Sequence, residues 1–366
     1  MAIRYLYKYV YHVRMKENNM NTIKSAVFDL EGDDLDLIND INRKYVSTGL
    51  TYGWKANNNR SYDQGHWNKL IVPNSTRFPC DHNQTSYLNN HPEIKNIWGI
   101  LQATVGSRGF YRTYINGYTY GTEGYAHQDD VWIKEKYGST ALSETAVIYL
   151  NNKWHIDWGG ETVIYSDMKI DNADNEIVVS VLPKMGRIFI FESTALHAAR
   201  PLSRSCPDLR SVLVIKTIDP SVVSPLVNFI SDLTFKVKHS GKSFFEHLFG
   251  TMLNIEHKNR NVSDDVLLAG LYHSVYGTEY FNYNNPEITR EIIQKMLGEY
   301  SEYLVYEFCN MKYRVNTLMT NSNDYYPKAL KDLIMIEIAN LEDQNSNFVF
   351  DTQIKELRKK LSTIII

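Results

Sequence analysis

The spacing of the hydrophobic residues changes near Pro220, and this change constrains the fold of the 366-residue chain more than any other feature. Before Pro220 the apolar residues fall in short β-branched or aromatic runs separated by turn residues, a pattern typical of strands. After Pro225 they recur at helical spacing with only short loops between them. We therefore predict an N-terminal tail over residues 1–22, a β-rich domain over residues 23–220 and an all-α domain over residues 221–366.

The β-rich half has several strand-like runs and one clear helical pattern. A helix is predicted over Asp33–Thr48, where apolar residues repeat at helical spacing. Many short strands joined by turns favour a sandwich or barrel with helices packed outside it. The clearest strand runs are Ala146–Leu150, Thr162–Tyr165, Ile177–Leu182, Arg187–Phe191 and Ser211–Thr217.

The second half shows the apolar periodicity of amphipathic helices throughout. Short polar loops separate the segments, and we expect them to pack against one another as one helical domain. The predicted helices are Phe244–Ile255, Asp264–His273, Thr289–Leu297, Tyr300–Asn310, Pro327–Glu342 and Asp351–Ser362.

Composition excludes several classes of protein. A net charge of -3 gives no electrostatic basis for general nucleic-acid binding. No run of about 18 apolar residues exists, so we predict no membrane span. The three cysteines, Cys80, Cys206 and Cys309, lie far apart, which indicates neither a disulfide framework nor a cysteine zinc site and suggests a cytoplasmic protein. No pattern in the sequence indicates an oligomeric state.

The most informative motif is the His-x-Asp of His127 and Asp129. In a strand, residues i and i+2 point to the same face, so these two side chains can reach one ion. His197 is the candidate for a third ligand. Two imidazoles and one carboxylate on one face of an octahedron leave three open positions, the arrangement of non-haem Fe(II) oxygenases.

A second His-x-Asp, at His155 and Asp157, competes with the first. It lies in a predicted loop, whereas His127 lies upstream of the strand pair around this loop. We therefore expect His127 and His197 to flank that strand pair across a barrel. Arg210 begins the next predicted strand, and its rigid fork of donors suits bidentate binding of a carboxylate.

With these motifs in chain order, the segment from Tyr114 to Lys216 resembles the catalytic core of the Fe(II)- and 2-oxoglutarate-dependent oxygenases, specifically the prolyl 4-hydroxylase-like group. The residues from 23 to 220, roughly half the chain, are covered by the resemblance. The matching motifs are Tyr114–Gly117, the His-x-Asp at His127, Tyr149–Asn151, Gly159–Thr162, Pro183–Gly186, Ile188–Phe191 and His197 with the following Arg200-Pro201.

The resemblance implies a double-stranded β-helix (a jelly-roll or cupin-like fold) and a set of roles. His127, Asp129 and His197 would bind Fe(II), while Arg210 and Tyr114 would bind the far carboxylate of 2-oxoglutarate. With O2, the enzyme would hydroxylate a C–H bond of a peptide (peptidyl proline or another side chain) or of a small molecule, releasing succinate and CO2. Ascorbate is a further candidate cofactor.

The spacing between His197 and Arg210 is a few residues longer than the family pattern, with Ser203–Pro207 as the apparent insertion. Lys216 and Arg200 are therefore alternatives to Arg210 as the partner of 2-oxoglutarate. Lys216 faces the same side of the strand as Arg210, six residues further along it.

The helical half resembles the HD-type metal phosphohydrolases through His247 and through an apolar helix that ends at His273. The residue after His273 is Ser274, however, where the family has an aspartate. The resemblance therefore implies a degenerate, non-hydrolytic HD-like domain, with His247 and His273 as a possible second metal site. A rearranged site could also recruit His239, Glu246 or Glu279.

Two other functions remain open at this point. The protein could be a binding or regulatory protein whose HD-like domain senses a nucleotide, because the Ser274 departure removes a metal ligand. It could also be a metal phosphohydrolase that acts through the helical domain.

Overall fold

The computed structural model describes residues 9–14, 22–55, 64–85, 87–138, 143–259, 261–320 and 324–364. The chain divides into two units. The first comprises Met1–Asn83 and Tyr87–Val223, and the second comprises Gln84–Ser86 and Ser224–Ile366.

The strands, numbered in chain order, are β1 (Tyr9–Arg14), β2 (Thr22–Asp29), β3 (Thr51–Trp54), β4 (His66–Val72), β5 (Gly109–Tyr118), β6 (Gly124–His127), β7 (Glu144–Tyr149), β8 (Thr162–Tyr165), β9 (Ile177–Val181), β10 (Arg187–Glu192), β11 (His197–Ala199), β12 (Arg210–Ile218), β13 (Lys238–His239) and β14 (Lys242–Ser243).

The α-helices are α1 (Asp34–Ile41), α2 (Pro92–Val105), α3 (Val131–Tyr137), α4 (Pro225–Thr234), α5 (Phe244–Lys258), α6 (Asp264–Tyr272), α7 (Arg290–Leu297), α8 (Glu299–Asn310), α9 (Arg314–Thr320), α10 (Pro327–Gln344) and α11 (Asp351–Leu361). A π-helical segment, Asn42–Val46, continues α1.

The first unit is built from two antiparallel sheets. The larger sheet has the strand order β1-β2-β10-β7-β12-β5-β4-β3, and the smaller one has the order β6-β11-β8-β9. The non-sequential neighbours mean that the chain crosses repeatedly between the sheets. This antiparallel, sheet-rich core agrees with the predicted jelly-roll class. Residues 9–14, assigned to the tail from the sequence, form β1 and pair with β2.

The central strand β12 is buried at every residue because it is covered on both faces. Leu213 and Ile215 belong to the apolar cluster that contains residues of α1 and α2, such as Ile38 and Ile97. Val212 and its even-numbered neighbours face the other cluster, which includes residues from strands of the smaller sheet. The larger sheet therefore has helices on one face and the smaller sheet on the other.

The second unit is helical apart from the β13–β14 hairpin, as the periodicity after Pro225 predicts. Its α5 starts with a capping box, in which the Ser243 side chain and the Glu246 side chain each accept a backbone N–H from the other residue. Helix α5 packs against α6 and α10. The HD-like identity of this unit stays a prediction. None of the described helices meets the length and hydropathy that a membrane crossing requires.

Asp29 at the end of β2 should make stability depend on pH. Burial alone raises the pKa of this carboxyl, but hydrogen bonds from Arg187 and Lys184 outweigh burial and lower the pKa to about 2. Stability from this group is therefore present above the unfolded pKa and lost as pH falls through about 2. We expect Asp29→Asn to cost about 2 kcal/mol at pH 7 and less near pH 3.

Urea unfolding at the two pH values measures this effect. The exposed Asp171, changed to Asn, is the matched control and should have little effect at either pH. An Asp29→Asn cost that is as large at pH 3 as at pH 7 would contradict the assignment.

Candidate metal centre and the cavity around it

Three potential metal ligands meet where β6 ends and β11 begins. The Nε2 atom of His127 lies 3.7 Å from Oδ1 of Asp129, and Nε2 of His197 lies 3.4 Å from Oδ2 of the same carboxylate. The two imidazole centroids are 4.3 Å apart. One ligand atom from each of the three side chains lies within 4.8 Å of the other two, and no other such group of three is found in the described part of the chain.

Backbone carbonyl groups orient both imidazoles in the same way. Nδ1 of His127 is 2.7 Å from the carbonyl oxygen of Tyr125, and Nδ1 of His197 is 2.9 Å from that of Ala195. A carbonyl oxygen only accepts, so each Nδ1 carries a proton, and in a neutral imidazole of this tautomer Nε2 carries the lone pair. A hydrogen bond from the nitrogen that does not bind the metal to a backbone carbonyl is the usual way in which proteins orient a metal-binding histidine.

The route by which Asp129 reaches the site differs from the sequence prediction. Strand β6 ends at His127, so strand alternation does not bring the two residues together. The chain instead bends, and the Asp129 amide donates to the carbonyl oxygen of Ser193 at 2.8 Å. Asp130 follows in the left-handed region with φ 49°.

The expectation that His127 and His197 flank a strand pair across a barrel is also wrong. Strands β6 and β11 are hydrogen-bonded neighbours in the smaller sheet, and the two histidines are direct cross-strand partners. This pairing fixes their separation. Burial and the neighbouring His127 lower the pKa of His197 to about 3, so its imidazole is neutral, the form that binds metals.

Lys216 is the buried cation beside Asp129, a role that the sequence did not predict. Its Nζ contacts Oδ2 of Asp129 and donates to Oγ1 of Thr145 at 2.9 Å. Thr145 in turn donates to the same carboxylate at 3.1 Å. Burial alone raises the pKa of Asp129, but the Lys216 ammonium outweighs burial and holds that pKa far below its usual range. The carboxylate is therefore ionised and held in place.

Replacing Lys216 by Met should leave the Asp129 charge buried without its partner. Breaking a buried ion pair on one side costs about 3–5 kcal/mol. We expect Lys216→Met to lower the Tm of the metal-free protein. We also expect Fe(II) to raise the Tm of the variant by more degrees than it raises the Tm of the wild type. Calorimetry with and without Fe(II) under anaerobic conditions measures both shifts. An unchanged Tm of the metal-free variant would contradict the role given to Lys216.

Arg210 is 1% exposed and makes hydrogen bonds with only part of its guanidinium group. Its Nε donates to the carbonyl oxygen of Gly160 at 2.6 Å, and Nη2 donates to Oγ1 of Thr162 at 2.8 Å. Nη1 is buried without a partner. A Cβ at Gly160 would lie 3.1 Å from Cδ of Arg210 and closer still to Leu202, so glycine leaves the room for this arrangement.

A cavity of about 140 Å³ contains the triad, Arg210 and Tyr114. Strands β5 and β12 form part of its wall, because alternate residues of each strand point the same way. Burial raises the pKa of Tyr114, so its hydroxyl stays neutral. The lining residues are Trp54, Lys55, His66, Arg112, Tyr114, Asn116, Tyr118, His127, Asp129, Thr145, Val147, Thr162, His197, Ala199, Arg210, Val212 and Val214.

The other sequence candidates lie outside this arrangement. Arg200 is exposed and does not line the cavity. The side chains of His155 and Asp157 are 60% and 78% exposed, with Nδ1 and Oδ2 3.4 Å apart, and they belong to no group of three ligands in the described residues. The structure thus places the motif at His127, and not the motif at His155, in a group of three ligands.

Two cavity residues were missed from the sequence. His66 is buried, stacks on Tyr118 with the ring centroids 4.7 Å apart, and has no hydrogen-bond partner at either ring nitrogen. Arg112 has a buried Nε without a partner, and its guanidinium lies 4.9 Å from the ring centroid of Tyr114. Arg112 could have been found by its even spacing from Tyr114 in one strand, whereas His66 carries no motif.

The predicted second site brings two histidines together in the helical unit. Nε2 of His247 lies 3.1 Å from Nε2 of His273, and Nδ1 of His247 lies 2.7 Å from Oδ2 of Asp343. His239 stacks on His247, with the ring centroids 4.2 Å apart. These residues form no group of three ligand atoms within reach of one ion, as far as the described residues were searched.

The two acidic alternatives at that site make other contacts. The carboxylate of Glu246 accepts from the backbone N–H of Ser243 in the capping box. Glu279 accepts from the backbone N–H of Tyr313 at 2.6 Å. Neither contact directs these carboxylates towards the histidine pair.

In a comparison with known protein families, a segment of each half of the chain matches a different family. Residues 114–214 match the family described as the 2OG-Fe(II) oxygenase superfamily, where 2OG stands for 2-oxoglutarate. Residues 231–313 match a domain of unknown function, DUF6817. The first unit therefore contains a 2OG-Fe(II) oxygenase domain, and its matched segment includes the triad. A search of curated proteins finds no match to the chain.

Solved structures similar to the chain include several prolyl hydroxylases. A Pseudomonas putida prolyl-4-hydroxylase is 16% identical, with a TM-score of 0.34, over 53% of this chain and 91% of that chain. A Trichoplax adhaerens prolyl hydroxylase in complex with a hypoxia inducible factor peptide fragment is 17% identical, with a TM-score of 0.36, over 54% and 84%. A collagen prolyl hydroxylase of Paramecium Bursaria Chlorella virus-1 is 13% identical, with a TM-score of 0.29, over 53% and 96%.

Proposed function

We propose that this protein is an Fe(II)- and 2-oxoglutarate-dependent dioxygenase that hydroxylates a C–H bond. The observation that carries the proposal is one small cavity that holds both the His–Asp–His triad and a buried arginine with an unused N–H group. The triad offers two nitrogen ligands and one carboxylate, a set that suits Fe(II) with open positions for a cosubstrate and O2.

His127, Asp129 and His197 would hold the metal. Both imidazoles are oriented by a hydrogen bond at Nδ1 that leaves Nε2 for the metal, and the Asp129 carboxylate is ionised. Lys216 balances part of the Asp129 charge and fixes one of its oxygens. The matching family supports iron as the ion.

Arg210 and Tyr114 would bind the far carboxylate of 2-oxoglutarate. The free Nη1 of Arg210 is an unsatisfied buried donor, and such a donor costs about 1–3 kcal/mol unless a ligand accepts from it. Thr162 and Gly160 hold the guanidinium so that this N–H group is left for the ligand. The attraction between a buried cation and the cosubstrate anion is also stronger than in water, because the effective dielectric constant in the cavity is lower.

Fe(II) with 2-oxoglutarate and O2 supplies an oxidative decarboxylation that yields succinate, CO2 and a hydroxylated product. The chain contributes orientation and a dry site. Phe189 and Phe191 belong to the apolar cluster between the two sheets, and Phe191 lies 4.7 Å from the His197 ring centroid. These rings limit access of water to one side of the metal centre.

A prolyl hydroxylase-like substrate, either peptidyl proline or another side chain, is the finer part of the proposal, with a small molecule as the alternative. The resemblance of the Tyr114–Lys216 motifs supports it. In the same proposal ascorbate assists turnover, the location is cytoplasmic, and residues 221–366 form a degenerate HD-like domain.

Oxygen-dependent succinate formation tests the proposal. Purified protein with Fe(II), 2-oxoglutarate and O2 should form succinate slowly even without its substrate, and His127→Ala should abolish this. Wild-type protein with bound iron that forms no succinate in the presence of candidate peptides and metabolites would overturn the proposal. That outcome would favour a non-catalytic binding protein.

A further inference from the structure

The helical unit has a cavity of its own, of about 590 Å³, that the oxygenase activity does not use. This volume lies in the range of pockets that bind small molecules. Its walls come from the β13 end, from the loop after α6, and from α9, α10 and the start of α11. The residues that carry the argument are His239, Tyr280, Phe281, Arg314, Glu337 and Asn340.

Arg314, the first residue of α9, is the one arginine or lysine among the lining residues. It is 7% exposed, and its Nε donates to Oε2 of Glu337 at 3.1 Å. The guanidinium packs on the Phe308 ring at 4.3 Å, and Asn340 donates to the same Glu337 oxygen at 2.9 Å. These contacts fix the group on its Nε side.

One terminal nitrogen of the same guanidinium lacks a partner. Nη1 of Arg314 is buried and makes no hydrogen bond. The planar guanidinium group of arginine matches the two oxygens of a carboxylate or phosphate, which accept two parallel hydrogen bonds from it. The unused Nη1 of this rigidly held, buried arginine therefore indicates a binding site for an oxyanion.

His239 provides a second unsatisfied atom in the same cavity wall. Its Nδ1 is buried without a partner, while its ring stacks on His247 and lies edge-on to Phe281 with centroids 4.5 Å apart. An imidazole that carries its proton on Nδ1 donates one hydrogen bond from that atom.

The remaining wall suits a planar apolar group. Phe281 and Phe350 line the cavity, and Tyr280 and Tyr313 lie at its exposed side. Among the lining residues Glu337 is the acidic one, and it is already paired with Arg314 and Asn340. An added anion would therefore meet free donors and aromatic surface.

We propose that this cavity binds a small organic anion, a carboxylate or a phosphate monoester attached to a planar ring. Its oxyanion accepts from Arg314, and from His239 where the anion is large enough, while the ring lies against Phe281. This is a binding function of the helical unit, separate from the iron chemistry, and it needs no metal at His247 and His273.

Benzoate and phenyl phosphate are the probes, titrated separately into the full chain by calorimetry or by ligand-detected NMR. Saturable binding of either supports the site, and the probe that binds more tightly identifies the oxyanion. The double variant Arg314→Met, Glu337→Gln removes both charges together, so no unpaired charge stays buried, and it should bind at least about tenfold more weakly.

Two further variants keep the test informative if the double variant does not fold. Asn316→Trp, at an exposed position on the cavity rim, should block entry, whereas Lys312→Trp, exposed but outside the lining, should not. Arg210→Met should bind the probes as the wild type does. No binding up to millimolar concentrations, or loss of binding in Arg210→Met but not in the Arg314 variant, would overturn the inference, because the anion would then occupy the oxygenase cavity.

Discussion

His197→Ala should lower Fe(II) affinity by more than about 100-fold. Losing a residue that only hydrogen-bonds to a metal ligand already costs about 10–100-fold in metal affinity, and His197 would be a direct ligand. Its Nε2 is the atom held 3.4 Å from Asp129 by the Ala195 carbonyl and by pairing with His127. Anaerobic competition with a chromophoric chelator measures the affinity.

His155→Ala is the matched control, because it removes the histidine of the competing His-x-Asp motif from an exposed position. Its iron affinity should equal that of the wild type. Near-UV circular dichroism checks that His197→Ala keeps its tertiary structure, since His197 is buried. Equal iron affinity of the wild type and a folded His197→Ala protein would exclude His197 as a ligand.

Arg210→Met should raise the KM for 2-oxoglutarate by about 30-fold or more, since truncating one partner of a buried charge pair costs about 2–5 kcal/mol. The loss should fall mainly on KM, because Arg210 binds the end of the cosubstrate away from the metal. Arg210→Lys should be intermediate, since an ammonium lacks the fork that donates to Gly160 and Thr162 together. Initial rates of succinate formation over a range of 2-oxoglutarate concentrations give both constants.

Arg200→Met controls for the loss of one positive charge, because Arg200 is exposed and lies outside the cavity. Its KM should not change. If Arg200→Met raised the KM and Arg210→Met did not, the alternative from the sequence would be correct and the role of Arg210 would fail.

Local patterns in the sequence predicted much of the first unit. Strands such as β8 and β12 are continuous β-branched runs, and they form within a residue or two of the predicted bounds. The triad could also be predicted, because a His-x-Asp motif and a distant histidine in the order typical of the family can be recognised without knowing which strands pair. Arg210 followed from its place at the start of β12.

The contacts between distant segments could not be predicted. Strands β6 and β11 are neighbours in one sheet because of the order in which the chain crosses between the two sheets. Local patterns do not show this order, so the prediction that His127 and His197 flank a strand pair was wrong. The pairing of Lys216 with Asp129 depends on β12, β7 and the bend after His127 meeting at one point. His66 lies on a strand that has no chemical motif, and only the fold brings it to the cavity.

In the helical unit, apolar periodicity predicted all of the helices except α4 and α9. Length does not explain both omissions, because α4 has ten residues while the predicted α6 and α7 have nine and eight. Arg314 lies at the start of α9 and was not singled out, because an isolated arginine at a loop end resembles a solvated surface residue. Its burial results from contacts with Phe308 and Glu337 on two other helices.

Anaerobic addition of Fe(II) and 2-oxoglutarate to the full chain tests the metal centre and its cosubstrate together. We expect a weak visible charge-transfer band that needs both additions and is absent in His127→Ala. Identical spectra for the wild type and His127→Ala would contradict the assignment of the metal centre.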